Sequence, residues 1–348
     1  MSYDIPTNAD LMEVEQEVLP VLTQDDELFS IFPLESEDAD LLEWEQEDIY
    51  TGLMTVRGLN GQPGRVKNTS SKKWQVEPYY AGDFAEADEK EMTKLRRLGT
   101  YAEPDDIDDI VGRLFKKLLT REMNLFRKVI CDFLTTGTYT VLGSNGQTMM
   151  TDTFSVTTAT ANPLWSVPST STPLADIRGI IAGVIGYDYS FGPDAQILMN
   201  TLTWNMMIAN TNAADLYGRR TEGLGTFNNM GAVNELLAGD GLPKIKIYDK
   251  CWFTDAGVKT FFIPTGKVVI LGKRASGKKL GGLVRTRNAN NPEVGPSSYN
   301  WVVDPFQFAQ GNVIPAGSFP RKLQVHRGHN AALRVPFPRG VLILTVSA

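Results

Sequence analysis

The sequence predicts an α+β fold organised around one long helix. Residues 104–136 carry apolar side chains at Ile107, Ile110, Val111, Leu114, Phe115, Leu118, Leu119, Leu125, Phe126, Val129, Ile130 and Phe133, mostly at steps of three and four that keep them on one helical face. The segments at 50–56 and 74–80, and those that follow Gly137, have the alternating or β-rich character of strands. From residue 174 onward, helical and strand-like segments alternate.

The long helix is marked at both ends. Pro104 suits a first turn, and Asp105, Asp106, Asp108 and Asp109 place negative charge where the helix dipole is positive. Gly137 supplies the C-terminal stop. At about 1.5 Å per residue the helix would be roughly 45 Å long, enough to serve several lobes.

A chain of 348 residues, 42% hydrophobic and 22% charged, has material for two domains or one elaborated domain with an ample core. The N-terminus MSYDIPTNAD has neither a basic start nor an apolar run, and stretches such as 179–186 are far below membrane-spanning length. Secretion and membrane insertion are not expected. Cys131 and Cys251 have no paired spacing, which suits two buried thiols in a reducing, cytosolic setting.

Charge is strongly segregated. Residues 1–50 hold 16 acidic side chains and no Lys or Arg, whereas residues 51–348 hold 34 basic against 25 acidic ones. An acidic arm on a basic body is expected to lie on that body, on a neighbouring copy or in solvent. Within the arm, Leu11, Val14, Val18 and Leu22 have helical spacing, and Phe29, Ile31, Phe32, Leu41, Leu42 and Trp44 are too apolar for a solvated tail. These residues predict that the arm docks. Exposed ion pairs contribute only about 0–1 kcal/mol each, so the apolar anchors supply most of the docking energy.

The next segment reads as a projecting hairpin. A strand at 50–56 leads to a tip containing Gly58, Asn60, Gly61, Pro63 and Gly64, and a return strand runs over 74–80. Arg57, Arg65, Lys67, Lys72 and Lys73 make it basic, and a lone two-stranded ribbon needs a partner surface. A short charged helix is expected over 85–98. After the long helix, Ser144-Asn145-Gly146-Gln147 predicts a hairpin turn. Pro163, Pro168 and Pro173 then interrupt the chain before a helix over 174–185, a strand over 195–199, and helices over 202–209 and 229–238. Strands are expected at 244–248, 261–264, 267–271, 323–326, 332–335 and 341–346.

No motif carries catalytic chemistry. The segment from Gly272 to Lys279 after the strand at 268–271 nearly spells a phosphate-binding loop, but Lys279 stands where a hydroxyl must meet magnesium, and Leu280, Gly281 and Gly282 open a helix poorly. A P-loop-like nucleotide enzyme, tested at Lys278, is the alternative of a different class. His326 and His329 have HxxH spacing, yet the surrounding VHRGHNA contains Gly328 and is expected to lie between strands, and no Glu or Cys nearby completes a ligand set. Carboxylates crowd into the arm, where burial is least expected. No cofactor, metal or catalytic residue is predicted, and no nucleic-acid-binding motif is present.

The order of parts resembles the major capsid proteins of tailed bacteriophages, with the Hong Kong ninety-seven type fold. More specifically, Trp165, the run Pro173-Leu174-Ala175-Asp176-Ile177, the strand and helix between Pro193 and Trp204, and the closing segment from Val313-Ile314-Pro315 to Val346 are similar to the phage lambda major head protein family. The resemblance implies an acidic N-terminal arm (1–47), an E-loop hairpin (48–82), a peripheral domain (83–185 and 320–348) with the spine helix at 104–136, and an axial domain (186–319).

It also implies a protein without enzymatic activity whose copies form hexamers and pentamers in an icosahedral shell around double-stranded DNA, or, as a same-fold alternative, an encapsulin-like compartment. The implied partners are other copies, portal, scaffolding and decoration proteins, and packaged DNA through weak non-specific contact. The implied location is the virion capsid, assembled in the host cytoplasm. Inter-subunit contacts are expected at Arg57, Arg65, Lys67, Lys72, Lys73, Arg113, Lys116, Lys117, Arg121, Glu43, Trp44 and Glu45. Together with Arg127 and Lys128, the helix residues among these would offer a surface to a neighbour's acidic arm. On this reading, a chain lacking residues 1–45 still folds but assembles poorly.

Overall fold

The computed structural model describes residues 8–24, 26–46, 54, 56, 59, 61–62, 72–88, 107–143, 145–185, 189–210, 230–254, 256–274, 279–288, 299–303 and 322–347. The chain divides into two compact units: Met1–Leu42, Glu77–Lys128 and Gly282–Arg334 form the first, and Glu43–Val76, Val129–Gly281 and Val335–Ala348 form the second.

In the first unit a five-stranded sheet is built on the 13-residue strand β17 (Lys322–Arg334). Along one side, β4 (Tyr79–Asp88) runs antiparallel to it, from Lys322 opposite Asp88 to Ala331 opposite Tyr79. Along the other lie β16 (Tyr299–Val303) and β15 (Gly282–Arg285), and β1 (Leu34–Ser36) adds parallel to β15. One sheet face is covered by helices. Leu11 of α1 (Asn8–Gln24), and Ile110, Val111, Phe115, Leu118 and Leu119 of α3 (Ile107–Thr136), make a core with Ala87, Leu323 and Val325. Val14, Val18 and Leu22 pack on the same core, so the predicted apolar stripe of the arm faces its own body. The short helix α2 (Glu27–Ile31) follows, with Leu28, Phe29 and Phe32 buried.

The segments 323–326 and 332–335 are not separate strands: Gly328 lies inside β17, paired with Gly82 on one side and Tyr299 on the other. Ladders on both edges hold an extended backbone where local composition suggested a break. Likewise, residues 85–88 belong to β4 rather than to a helix, because pairing with β17 sets a period of two that turns Ala85 and Ala87 inward and leaves Phe84 and Glu86 exposed. Residues 89–98 lie outside the described residues.

The second unit holds the other five-stranded sheet, in the order β10 (Lys244–Ile247), β9 (Gln196–Met199), β13 (Lys267–Leu271), β18 (Val341–Thr345) and β7 (Thr157–Thr160). The runs expected at 195–199, 267–271 and 341–346 form its central strands, at Gln196–Met199, Lys267–Leu271 and Val341–Thr345, with Ile197, Leu198, Val268, Val269, Ile270 and Leu342 fully buried. Helix α4 (Pro173–Ala182) packs on β18, and Trp165 ties in beside it: its indole donates to Asp176 Oδ2 (2.8 Å) and its backbone N–H to the Val346 carbonyl (2.8 Å). Asn200 caps α5 (Thr201–Ile208), accepting from the Thr203 N–H (2.8 Å) and donating to the Ile263 carbonyl (3.2 Å). Helix α6 (Met230–Gly239) precedes β10.

Smaller ribbons complete this unit: β5 (Thr138–Leu142) with β6 (Thr148–Thr153), β8 (Tyr189–Ser190) with β14 (Lys273–Arg274), β11 (Cys251–Phe253) with β12 (Lys259–Phe261), and β2 (Leu42–Gln46) with β3 (Lys72–Val76). The turn of the β5–β6 ribbon is the predicted one, with Gly146 at φ +76°. Strand β12 begins two residues before the expected 261–264 run. Strand β2 pairs with β3, most of the expected strand at 50–56 lies outside the described residues, and the expected return strand breaks at Glu77-Pro78 before β4 because proline has no N–H for a ladder. After β13, the near-P-loop segment begins with β14 (Lys273–Arg274) and is followed by β15 at Gly282, so among the described residues no helix N-terminus follows it to face a phosphate.

Candidate functional site: a buried charge square and the predicted contact residues

The most concentrated chemistry in the described chain lies between α1, α3 and the first sheet. Glu122 occupies the apolar stripe of α3, three residues after Leu119 and four before Phe126, so it points where a hydrophobe is expected. Glu15 does the same on α1, between Leu11 and Val18. The sheet answers with Arg285 on β15 and with Arg327 and His329 on β17, two residues apart and hence on one strand face.

These groups form a square of alternating charge. Glu15 accepts from Arg285 Nη1 at Oε1 (3.1 Å) and from Arg327 Nη1 at Oε2 (2.9 Å). Glu122 accepts from Arg285 Nη2 at Oε1 (3.3 Å) and from Arg327 Nε at Oε2 (2.5 Å). His329 Nδ1 lies 3.1 Å from Glu122 Oε1, and Arg327 also donates to Asn300 Oδ1 (2.8 Å) on β16. All are buried, Arg327 being 3% exposed and Glu122 6%. Aromatic rings close the site: Arg327 lies over Phe115, Arg285 over Phe126, and His329 meets Phe126 edge-on at 4.6 Å.

Burial alone would push both carboxyls up, but their partners win. For Glu122 the charges of Arg327 and Arg285, then His329, hold the carboxyl well below the usual range. For Glu15 burial again raises, and the hydrogen bond and charge of Arg327 with the charge of Arg285 lower it further than that. Both carboxyls are therefore ionised at neutral pH. The arm does bury a carboxyl, contrary to the sequence expectation, and the arginines reverse the usual effect of burial. Tyr79, edge-on to His329 at 5.8 Å, has its hydroxyl pushed up by burial and by the Glu122 charge.

His326 is not part of this site. An odd spacing puts it on the opposite strand face from His329, stacked on Phe84 at 5.4 Å, and burial lowers its pKa. HxxH spacing on a strand therefore cannot deliver two ligands to one metal. Among the described residues, no group of three or more His, Cys, Asp or Glu is placed to hold a metal ion, and no helix is long and apolar enough to cross a membrane.

The predicted contact residues fall into three groups. Arg57, Arg65 and Lys67 lie outside the described residues, and Lys72 is placed only by its backbone in β3. Glu43, Trp44, Lys73 and Arg121 are engaged within the chain. Lys73 Nζ lies 2.5 Å from Glu43 Oε2, and Gln75 also bonds Glu43. Trp44 is buried and stacks on Trp74, which stacks on Phe154, while Arg121 donates to Asp83 (2.7 Å). Glu45, Arg113, Lys116 and Lys117 are exposed. Arg127, read as a surface for a neighbour's arm, is taken by its own: its Nε donates to Asp26 Oδ2 (2.6 Å), its Nη2 to the Leu22 carbonyl (3.1 Å), and its guanidinium lies over Phe29.

Met54, Val56 and Leu59, in the segment joining β2 to β3, are 96%, 98% and 100% exposed. Charge is the conspicuous signal of this segment in the sequence, and it masks these apolar side chains. The square leaves one sign in the sequence, a Glu on each of two apolar stripes, but not the identity of its partners.

Residues 12–290 match the profile of the family described as phage major capsid protein E. Among solved structures, one described as a prophage capsid protein from E. coli CFT073 is similar, with 12% identity, 95% of this chain and 98% of that chain covered, and a TM-score of 0.51. A virus-like particle from Pyrococcus furiosus aligns with 12% identity over 96% and 98% of the two chains at a TM-score of 0.46. The capsid of a native GTA particle aligns with 12% identity over 92% and 90% at 0.47. Against curated protein sequences the chain has no match.

Proposed function

We propose that this chain, which belongs to the phage major capsid protein E family, self-assembles as hexamers and pentamers into an icosahedral shell enclosing double-stranded DNA. Family membership makes it a capsid shell protein with a structural role in the virion. The observation that carries the reading is the family match from residue 12 to residue 290, joined to a fold shared with a prophage capsid protein.

Exposed apolar side chains support a surface completed by other copies. Met54, Val56 and Leu59 leave their apolar area in water, which favours association when that area is removed. Beside them in sequence stand the basic Arg57, Arg65 and Lys67. In this proposal residues 48–82 are the E-loop hairpin that lies over an adjacent copy, and the segments 83–185 and 320–348 and the segment 186–319 are the peripheral and axial domains. Exposed Arg113, Lys116, Lys117 and Glu45 add rim contacts. Each contact is modest, and multivalent engagement of several neighbours makes them sum. The net charge of -7 suits a shell that holds its DNA loosely. Assembly in the host cytoplasm, with portal, scaffolding and decoration proteins as partners, completes the proposal.

Electron microscopy of the expressed, purified protein tests it. Closed icosahedral particles, and nuclease-protected double-stranded DNA in particles from infected or induced cells, are the expected results. Persistently monomeric protein, or particles filled with protein cargo and no DNA, would overturn the assignment.

A further inference from the structure

Only one member of the charge square is carried by the N-terminal helix. Glu15 comes from α1, whereas Glu122 comes from α3, Arg285 from β15, and Arg327 and His329 from β17. With α1 in place, two carboxylates face two guanidiniums. Arg285 is then 8% exposed and Arg327 3%; with α1 away the two guanidiniums keep the Glu122 carboxylate but lose that of Glu15. Two guanidiniums left to share one carboxylate are poorly compensated, so the vacated site recruits another anion or opens to water.

The apolar side of α1 does not impose this condition. Leu11, Val14, Val18 and Leu22 would pack on any apolar surface of suitable shape, because hydrophobic contact is non-directional. The carboxylate is directional: each Glu15 oxygen meets a different arginine.

We infer that Glu15 is the key of a charge latch: Arg285 and Arg327 form a carboxylate receptor in the body of the subunit, α1 is its built-in ligand, and at neutral pH the arm gives up this site more readily to another carboxylate than to water. The identical helix of a second copy carries the same group, so arm exchange between copies satisfies the receptor, whereas simple detachment of the arm does not. The charged and titratable groups facing Glu15 are Glu122 from α3, Arg285 from β15, and Arg327 and His329 from β17, with Tyr79 of β4 against His329. Acid therefore opens the latch by protonating the carboxyls while the arginines stay charged.

Hydrogen–deuterium exchange of the full-length chain tests the latch. In Glu15→Gln at neutral pH, amides of residues 8–24 should exchange at least about tenfold faster while those of β17 keep their protection. A synthetic peptide of residues 8–24 should bind this variant saturably, and the same peptide with Gln at position 15 should not. Unchanged protection of α1, or equal binding of the two peptides, overturns the inference. Should Glu15→Gln fail to fold, the wild-type chain taken to acid pH decides: α1 losing protection at a higher pH than β17 supports the latch, and simultaneous loss in both overturns it.

Discussion

Glu15 Oε2 lies 2.9 Å from Arg327 Nη1, across 312 positions of sequence. The contact joins helix α1 to strand β17, and it converts an acidic arm that could have been a tail into part of the subunit's own core.

Removing one corner of the square while leaving the rest should be severe. Glu122→Gln leaves Arg285 and Arg327 sharing one carboxylate and is expected to cost about 3–5 kcal/mol, the usual penalty for breaking a buried pair. A double-mutant cycle with Arg327→Met, followed by denaturant unfolding, should show strong coupling. Additive effects would mean that the two residues do not act together.

Stability should fall on the acid side. His326 has a folded pKa below its ordinary 6.5, so its contribution is present above that value and is lost as pH falls through the depressed one. Glu15 and Glu122 also have depressed pKa values; their larger contribution is present above about 4.5 and disappears as pH falls through the folded values. Melting temperature followed from pH 8 to pH 3 should drop mildly near pH 6 and steeply below pH 4.5, on the order of the ordinary His and Glu values. Glu122→Gln should flatten the steep portion.

Deleting residues 1–45 should damage the subunit itself. Sequence alone suggests a detachable arm, but the deletion takes away Leu11 from the core, Glu15 from Arg285 and Arg327, Asp26 from Arg127, and strand β1 from the edge of the sheet. With several buried partners lost at roughly 3–5 kcal/mol each, the expected product is insoluble or lacks a cooperative melting transition. A soluble deletion product melting at the wild-type temperature would contradict this placement of the arm.

The exposed hairpin residues should behave in the opposite way. Replacing Met54, Val56 and Leu59 together by Ser should leave the subunit's stability within about 0.5 kcal/mol, since the side chains touch little within the chain. Particle yield by light scattering should fall markedly. Equal losses of yield and melting temperature would count against a role between copies.

Gly137 offers a backbone test. Its φ is +76°, and a Cβ built there would stand 2.5 Å from Val156 Cγ2. Gly137→Ala is expected to destabilise by at least about 1–2 kcal/mol, measured by thermal or denaturant unfolding.

Much of this architecture could be read locally. The stripe from Ile107 to Phe133, the stop at Gly137, the Asn145-Gly146 turn and the apolar runs at 267–271 and 341–345 each declare themselves within a few residues, because helical and strand periodicity and glycine's backbone freedom are short-range properties. The arm's helical spacing at Leu11, Val14, Val18 and Leu22 was equally plain. What local pattern could not convey was which surface that stripe would meet, or that Ala85 and Gly328 would be held in extended chain by partners far away in sequence.

The sequence by itself determined the elements, the segregation of charge and the resemblance of their order to a phage capsid subunit. Only the tertiary structure decided that Glu15, Glu122, Arg285 and Arg327 share one site, and that Arg127 belongs to Asp26 of the same chain. Periodicity records whether a side chain faces inward, but the partner of a buried charge is chosen by packing between distant segments, where low polarity makes an unmatched charge too costly to keep.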